Sequence, residues 1–267
     1  MATILDELAS YAAERVSKAK RQRSLFSLRA DAEAMPMGCF SFQRAIESRN
    51  QNGGDIAFIC ECKKASPSKG LIAPEFPYLQ IAEEYEQAGA DCISVLTEPS
   101  RFLGSDRYLQ EIAAKVQLPC LRKDFTVDPY MIYEAKLLGA SAVLLICAIL
   151  DKPQLRDYHA LCCELGLSAL VEAHDEQEIT DAAEIGARII GVNNRNLKDF
   201  SVDTGHSLQL RVLCPQGTLF VTESGLQSAA DVQAAKEAGA NAVLIGETLM
   251  RAADKTAKLA ELRGQNK

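Results

Sequence analysis

At 267 residues, 48% hydrophobic and 24% charged, the chain has a globular balance and ample material for a core, at a length that suits a single α/β barrel. A net charge of −7 excludes bulk attraction to nucleic acid or to an anionic membrane. Any anionic ligand must be caught by a local cluster of cations and backbone N–H groups.

Met1-Ala2-Thr3-Ile4-Leu5-Asp6 runs straight into an amphipathic helical pattern and does not read as a signal peptide. No apolar run reaches the ~18–20 residues of a membrane span. The nine cysteines form no C-x-x-C pair. They fall inside apolar runs (Cys60, Cys92, Cys120, Cys147) or on a helix (Cys162, Cys163), which predicts small buried hydrophobes in a reducing cytoplasm.

Ile4, Leu5, Leu8, Ala12 and Val16 recur at helical spacing within residues 4–30, with Glu7, Glu14, Arg15, Lys18 and Lys20 between them. A second helix is predicted over Phe42–Ser48, followed by a loop from Asn50 to Asp55. Residues 1–50 therefore read as a helical extension ahead of a main domain over 51–267.

That domain opens on Phe58-Ile59-Cys60-Glu61-Cys62-Lys63, an apolar run that ends in the turn Ser66-Pro67-Ser68-Lys69-Gly70. In a strand Ile59, Glu61 and Lys63 share one face, while Cys60 and Cys62 take the other. From this segment alone Glu61 and Lys63 could be a structural ion pair as readily as part of a site.

After it the chain repeats itself. Gly89-Ala90, Gly139-Ala140, Gly186-Ala187 and Gly239-Ala240 each follow a helical segment and precede a short apolar strand. A glycine there supplies the left-handed helix cap. The copies recur about every 50 residues, the length of two βα units. Further strands are predicted at Ile56–Cys62, Pro119–Lys123, Ser168–Glu172 and Thr218–Thr222. Eight Val/Ile/Leu-rich strands alternating with helices predict a (β/α)8 TIM barrel rather than an open doubly wound sheet, which gives no reason for a four-fold recurrence.

Chemistry in such barrels sits at the C-terminal ends of the strands. Those ends carry Glu61 and Lys63, Glu98, Lys123, Glu172, Asn193 and Arg195, Glu223, and Gly246-Glu247, whereas strand 4 ends apolar at Leu144-Leu145-Ile146. Polar groups on nearly every strand, converging on one mouth, mark a site. Glu223-Ser224-Gly225 and Gly246-Glu247 each lead into a helix after the last two strands, where small residues let backbone N–H groups approach a phosphate.

With those residues in view, the sequence resembles the indole-3-glycerol-phosphate synthase family of tryptophan biosynthesis over essentially its whole length. The matching motifs begin with Glu61-Cys62-Lys63-Lys64-Ala65-Ser66-Pro67-Ser68 and Leu121-Arg122-Lys123-Asp124-Phe125. Val171-Glu172-Ala173-His174, Gly191-Val192-Asn193-Asn194-Arg195-Asn196-Leu197, Thr222-Glu223-Ser224-Gly225 and Leu244-Ile245-Gly246 complete the set. The resemblance implies a lyase that acts on 1-(2-carboxyphenylamino)-1-deoxyribulose 5-phosphate. It closes the indole ring with loss of CO2 and water and needs neither cofactor nor metal.

The resemblance also implies roles. Lys123 is the general acid of ring closure, Lys63 holds the substrate's anionic groups, and Glu172 is the acid/base of the dehydration. Glu61 orients the lysines. Asn193 and Arg195 position substrate, and Glu223 is a further rim carboxylate. Ser224, Gly225, Gly246 and Glu247 form the phosphate cradle, with the Glu247 side chain turned outward. Ser66 is a substrate contact, and Phe102, Phe125, Leu144 and Leu197 are candidates for the clamp on the aryl ring. A lysine acting as acid near neutral pH is expected to have its pKa lowered by burial and a neighbouring cation. His174 is placed in the loop beyond strand 5 and is not expected to be the base, and Cys60 and Cys62 are not expected to bind metal. The expected partner is a small phosphorylated molecule, with no nucleic acid or membrane, and the chain is expected to act as a cytoplasmic monomer. Two alternatives are a sugar-phosphate isomerase barrel of the phosphoribosylanthranilate type and a phosphate-binding barrel without catalysis.

Overall fold

A computed structural model describes residues 3–51, 54–196 and 200–265. Eight parallel strands close into a barrel: β1 Ala57–Cys62, β2 Cys92–Leu96, β3 Cys120–Lys123, β4 Ala142–Ile146, β5 Ser168–Ala173, β6 Ile189–Asn193, β7 Leu219–Glu223 and β8 Ala242–Ile245. Each pairs with the next, and β1 closes on β8 through Ala57↔Ala242 to Cys60↔Ile245. The four recurring glycines all lie at positive φ, between 77° and 86°, where each helix hands over to its strand. Residues with no Cβ therefore set every second turn of the barrel.

The extension is three helices, α1 Ile4–Gln22, α2 Leu25–Ala34 and α3 Ser41–Gln51, rather than two. Arg23 is extended and the Ser24 hydroxyl accepts from the Ser27 N–H, so a new helix starts at a cap inside the predicted 4–30 run. α3 also runs through Asn50 and Gln51, which were expected in a loop. The Asn50 side-chain amide donates to the Asp55 and Asn241 carbonyls and so stitches the helix end to the barrel floor. Of that predicted loop, Asn52 and Gly53 lie outside the described residues.

Phe42 and Ile46 of α3 are fully buried against the N-terminal strand ends, with Arg49 pairing with Asp91 at 2.6 Å. At the other end α1 buries Leu8, Ala12 and Val16. Its Arg15 forms a two-pronged pair with Asp124 at 2.6 and 3.1 Å, and its Lys20 pairs with Asp128. Six cysteines are buried as expected. Cys39 is exposed in the link between α2 and α3, and Cys147 and Cys163 are half-buried. No helix among the described residues is long and apolar enough to cross a membrane.

Arg122, one residue before the Lys123 end of β3, points away from the barrel axis and is buried. It donates to Asp106 and Glu134, each at 2.7 Å, and to the Met131 carbonyl, with Asp124 at 3.8 Å. Removing one partner strands the other charges without a counter-ion. Arg122→Ala is expected to lower folding stability by ~3–5 kcal/mol, read as a lower denaturant midpoint.

Candidate active site

The C-terminal mouth encloses a cavity of about 480 Å³. Register decides which side chains reach it. Glu172 on β5 lies level with Gly191 on β6, and Asn193 on β6 lies level with Glu223 on β7. A Cβ on Gly191 would stand 2.3 Å from Glu223 Oε1, so a glycine on the intervening strand is what lets the two carboxylates approach one lysine. Lys123 Nζ donates to Glu172 Oε2 at 3.0 Å and to Glu223 Oε2 at 3.2 Å. Across the mouth, Lys63 Nζ meets Glu61 Oε1 at 2.5 Å, and the Ser94 hydroxyl donates to the other Glu61 oxygen at 3.3 Å. A Cβ on Gly246 would fall 2.4 Å from Glu61 Oε1 and 2.8 Å from Lys63 Nζ. That position must stay bare for the pair to sit where it does.

Three buried carboxylates thus face two ammonium groups, an imbalance that shows in their protonation. For Lys123, burial opposes the charge but Glu172, Glu223 and Glu61 more than offset it, so its pKa is raised well above the ordinary lysine value. This corrects the expected lowering. The nearby cation, Lys63, is engaged by Glu61, and the groups that face Lys123 are acids. Burial would also raise Glu172, but Lys123 and His174 hold it well below the carboxylate range. Glu223 goes the other way: burial first, aided by the charges of Glu172 and Glu61, pushes it up to about 7 against the pull of Lys123. One Glu223 oxygen, Oε1, is buried without a hydrogen-bond partner.

The turns after β7 and β8 line the same cavity with Ser224, Gly225, Leu226 and Gly246, Glu247, Thr248. Ser224 takes φ 67° and Gly225 φ 85°, and a non-glycine residue there costs ~1–3 kcal/mol, strain that clusters at ligand clamps. The Glu247 carboxylate turns to Arg251 at 3.0 Å and to Lys69 at 3.7 Å. Ser66, Phe102, Phe125, Leu144 and Arg195 line the cavity too, with the Phe102 and Phe125 rings 6.1 Å apart. The Asn193 side-chain oxygen accepts from the Arg195 N–H at 3.0 Å. Leu197 lies outside the described residues.

Three contributions were not anticipated from sequence. Ile4, Leu5 and Leu8 of α1 line the cavity, so the extension roofs the site. Asp124, held below the carboxylate range by Arg15 and Arg122 against its burial, ties α1 to the residue that follows Lys123. His174 folds its ring back from the loop onto Glu172. Among the described residues no cluster of His, Cys, Asp and Glu could hold a metal ion, and burial keeps the Cys60 and Cys62 thiols protonated.

A sequence model described as indole-3-glycerol phosphate synthase matches residues 5–262. The chain belongs to the indole-3-glycerol phosphate synthase family. Within it, the protein of that name from Ruminiclostridium cellulolyticum is 53% identical over 262 residues, 98% of this chain and 99% of its own length. The one from Lacticaseibacillus paracasei is 50% identical over 260 residues, 97% and 98% of the two chains. Among solved structures, the tryptophan synthase complex from Pyrococcus furiosus superimposes with a TM-score of 0.59 at 13% identity, over 79% of this chain and 98% of that one. Thiamine phosphate pyrophosphorylase from the same organism gives 0.58 at 14%, over 78% and 94%. At such identity the likeness is one of barrel fold.

Proposed function

We propose that the rim groups divide the labour of the family's reaction, the conversion of 1-(2-carboxyphenylamino)-1-deoxyribulose 5-phosphate to indole-3-glycerol phosphate, CO2 and water. The observation that carries this reading is Lys123, an ammonium held between two buried carboxylates in the wall of a cavity that both phosphate turns also line. As the ring carbon attacks the substrate carbonyl, its oxygen becomes an alkoxide, a far stronger base than an amine. Lys123 protonates that oxygen despite its raised pKa. CO2 then leaves and the benzene ring regains aromaticity.

Losing its proton deprives Glu172 of its nearest cation and makes that carboxylate a stronger base. Glu172 then takes the proton that dehydration releases and passes it to the departing hydroxyl, which leaves as water. Glu61 fixes Lys63, which holds the substrate's anionic groups. Glu223 holds Lys123 from the far side, and Asn193 and Arg195 position substrate. Ser224, Gly225, Gly246 and Glu247 bind phosphate through backbone N–H groups, with Ser66 beside them. Phe102, Phe125 and Leu144 face the aryl ring. The extension over 1–50 and the barrel over 51–267 work as one unit, since α1 residues complete the cavity wall. Nine cysteines, all recorded as free thiols, support action in the reducing cytoplasm.

The test is direct because the chain has no tryptophan. Purified protein given the substrate without added metal is expected to develop indole fluorescence with no tryptophan emission beneath it. Substrate binding without any rise in fluorescence would support the non-catalytic barrel instead.

A further inference from the structure

The two oxygens of Glu172 have different partners. Oε2 accepts from Lys123 on the cavity side. Oε1 stands 3.3 Å from Nε2 of His174, one residue beyond the end of β5. The approach is off the hydrogen-bond direction, so the attraction is one of charge. The other ring nitrogen, Nδ1, lies 3.1 Å from Glu178 Oε2 in the first turn of α4 (Glu176–Glu184), and the same oxygen accepts from the His174 backbone N–H at 2.6 Å.

Among the described residues the remaining neighbours are few. The ring nitrogen Nε2 of His206, on α5 (Thr204–Leu210), lies 2.9 Å from the His174 carbonyl. The Cys147 thiol, after β4, donates to the Glu178 carbonyl. Asp175 is engaged in capping α4, Asp181 pairs with Lys152, and Lys123 and Glu223 stand beyond Glu172. Among the described residues, the charged groups facing the imidazole are therefore two carboxylates, Glu172 and Glu178. A ring between two carboxylates keeps both N–H protons and so stays an imidazolium. Burial opposes that cation, but Glu172 and Glu178 outweigh it and its pKa is pushed up to about 10.

We infer that His174 is a positioning residue for Glu172, a second, fixed cation that keeps this carboxylate ionised and aimed after Lys123 has given up its proton. The inference rests on the reading of Glu172 as the base of the dehydration. His174 does not line the cavity, so it acts through Glu172 and not on substrate. The physical need is specific. A buried ammonium–carboxylate pair in a low-dielectric site is prone to pass its proton internally and become neutral. That transfer would spend the Lys123 proton on Glu172 and disable acid and base together. A cation on the other Glu172 oxygen opposes it, and Glu178 holds that cation in place from outside the cavity.

The test is the pH profile of kcat in His174→Gln, with Glu178→Gln as a second variant that leaves β5 untouched. Losing the imidazolium raises the Glu172 pKa, so the acid limb of kcat is expected to move up by about one pH unit or more, with KM changed less than about threefold. Glu178→Gln is expected to shift it less, in the same direction. Ring 15N signals should show His174 doubly protonated at pH 8, assignable among three histidines by its absence in His174→Gln. An unmoved acid limb in both variants, or a neutral His174 ring at pH 8, would overturn the inference. Glu172→Gln separates the two levels. If it keeps full turnover, the underlying reading of Glu172 fails; if it is inactive while the His174 limb stays fixed, only the role of His174 fails.

Discussion

Lys123→Met is expected to lower kcat by ~10²–10⁴-fold while KM changes by less than about threefold. Methionine keeps the aliphatic stem that packs in the cavity wall but cannot protonate an alkoxide. The loss falls on kcat because the lysine contacts two carboxylates in the resting site. Its proton is engaged by substrate only as the carbonyl is attacked. Without the ammonium, Glu172 and Glu223 lose their shared counter-ion, and both pKa values rise, Glu223 from a value already near 7. Added carboxylic acids therefore do not restore the rate, since a protonated glutamate is already present there. Steady-state kinetics on the substrate decides the point. A variant whose defect lies wholly in KM would make Lys123 a binding group only.

Glu172→Gln is the second large effect. The amide fills the same volume and removes both the charge and the base, so kcat is expected to fall by ~10²–10⁴-fold with little change in KM. The sign on its partners follows from the contacts. Lys123 loses the nearer of its two carboxylates and His174 loses one of two, so the pKa of each falls toward its ordinary value. Lys123 becomes the better acid just as the base disappears. Ring closure in this variant is thus expected to survive while dehydration does not. Equal damage to both steps would remove Glu172 from the specific role given to it.

Much of this was legible in the chain because the barrel repeats. The Gly-Ala phrase marked where alternate strands start, and the C-terminal ends a few residues on are where chemistry collects. Alternation along β1 put Glu61 and Lys63 on one face, and the two meet there. What was not legible is what depends on distant partners. The expected lowering of the Lys123 pKa looked to a neighbouring cation. The charges that decide it come from residues 49 and 100 positions away, and they are negative. Helical spacing marked Ile4, Leu5 and Leu8 as apolar, yet periodicity names the buried face and not what it covers, so their place in the cavity wall was hidden. Ser24 was a readable cap inside a run taken as continuous. His174 does lie in the loop beyond strand 5, but loop position alone does not say that its ring turns back onto Glu172 once the strand ends at Ala173.

The division of labour between Lys123 and Glu172 is tested most directly by counting CO2 and indole in a quenched single turnover of the two variants. Lys123→Met is expected to release neither. Glu172→Gln is expected to release about one CO2 per active site in a burst, with no matching indole absorbance, because decarboxylation precedes the step it blocks. CO2 and indole appearing in equal amounts in both variants would contradict the assignment of acid and base to separate steps.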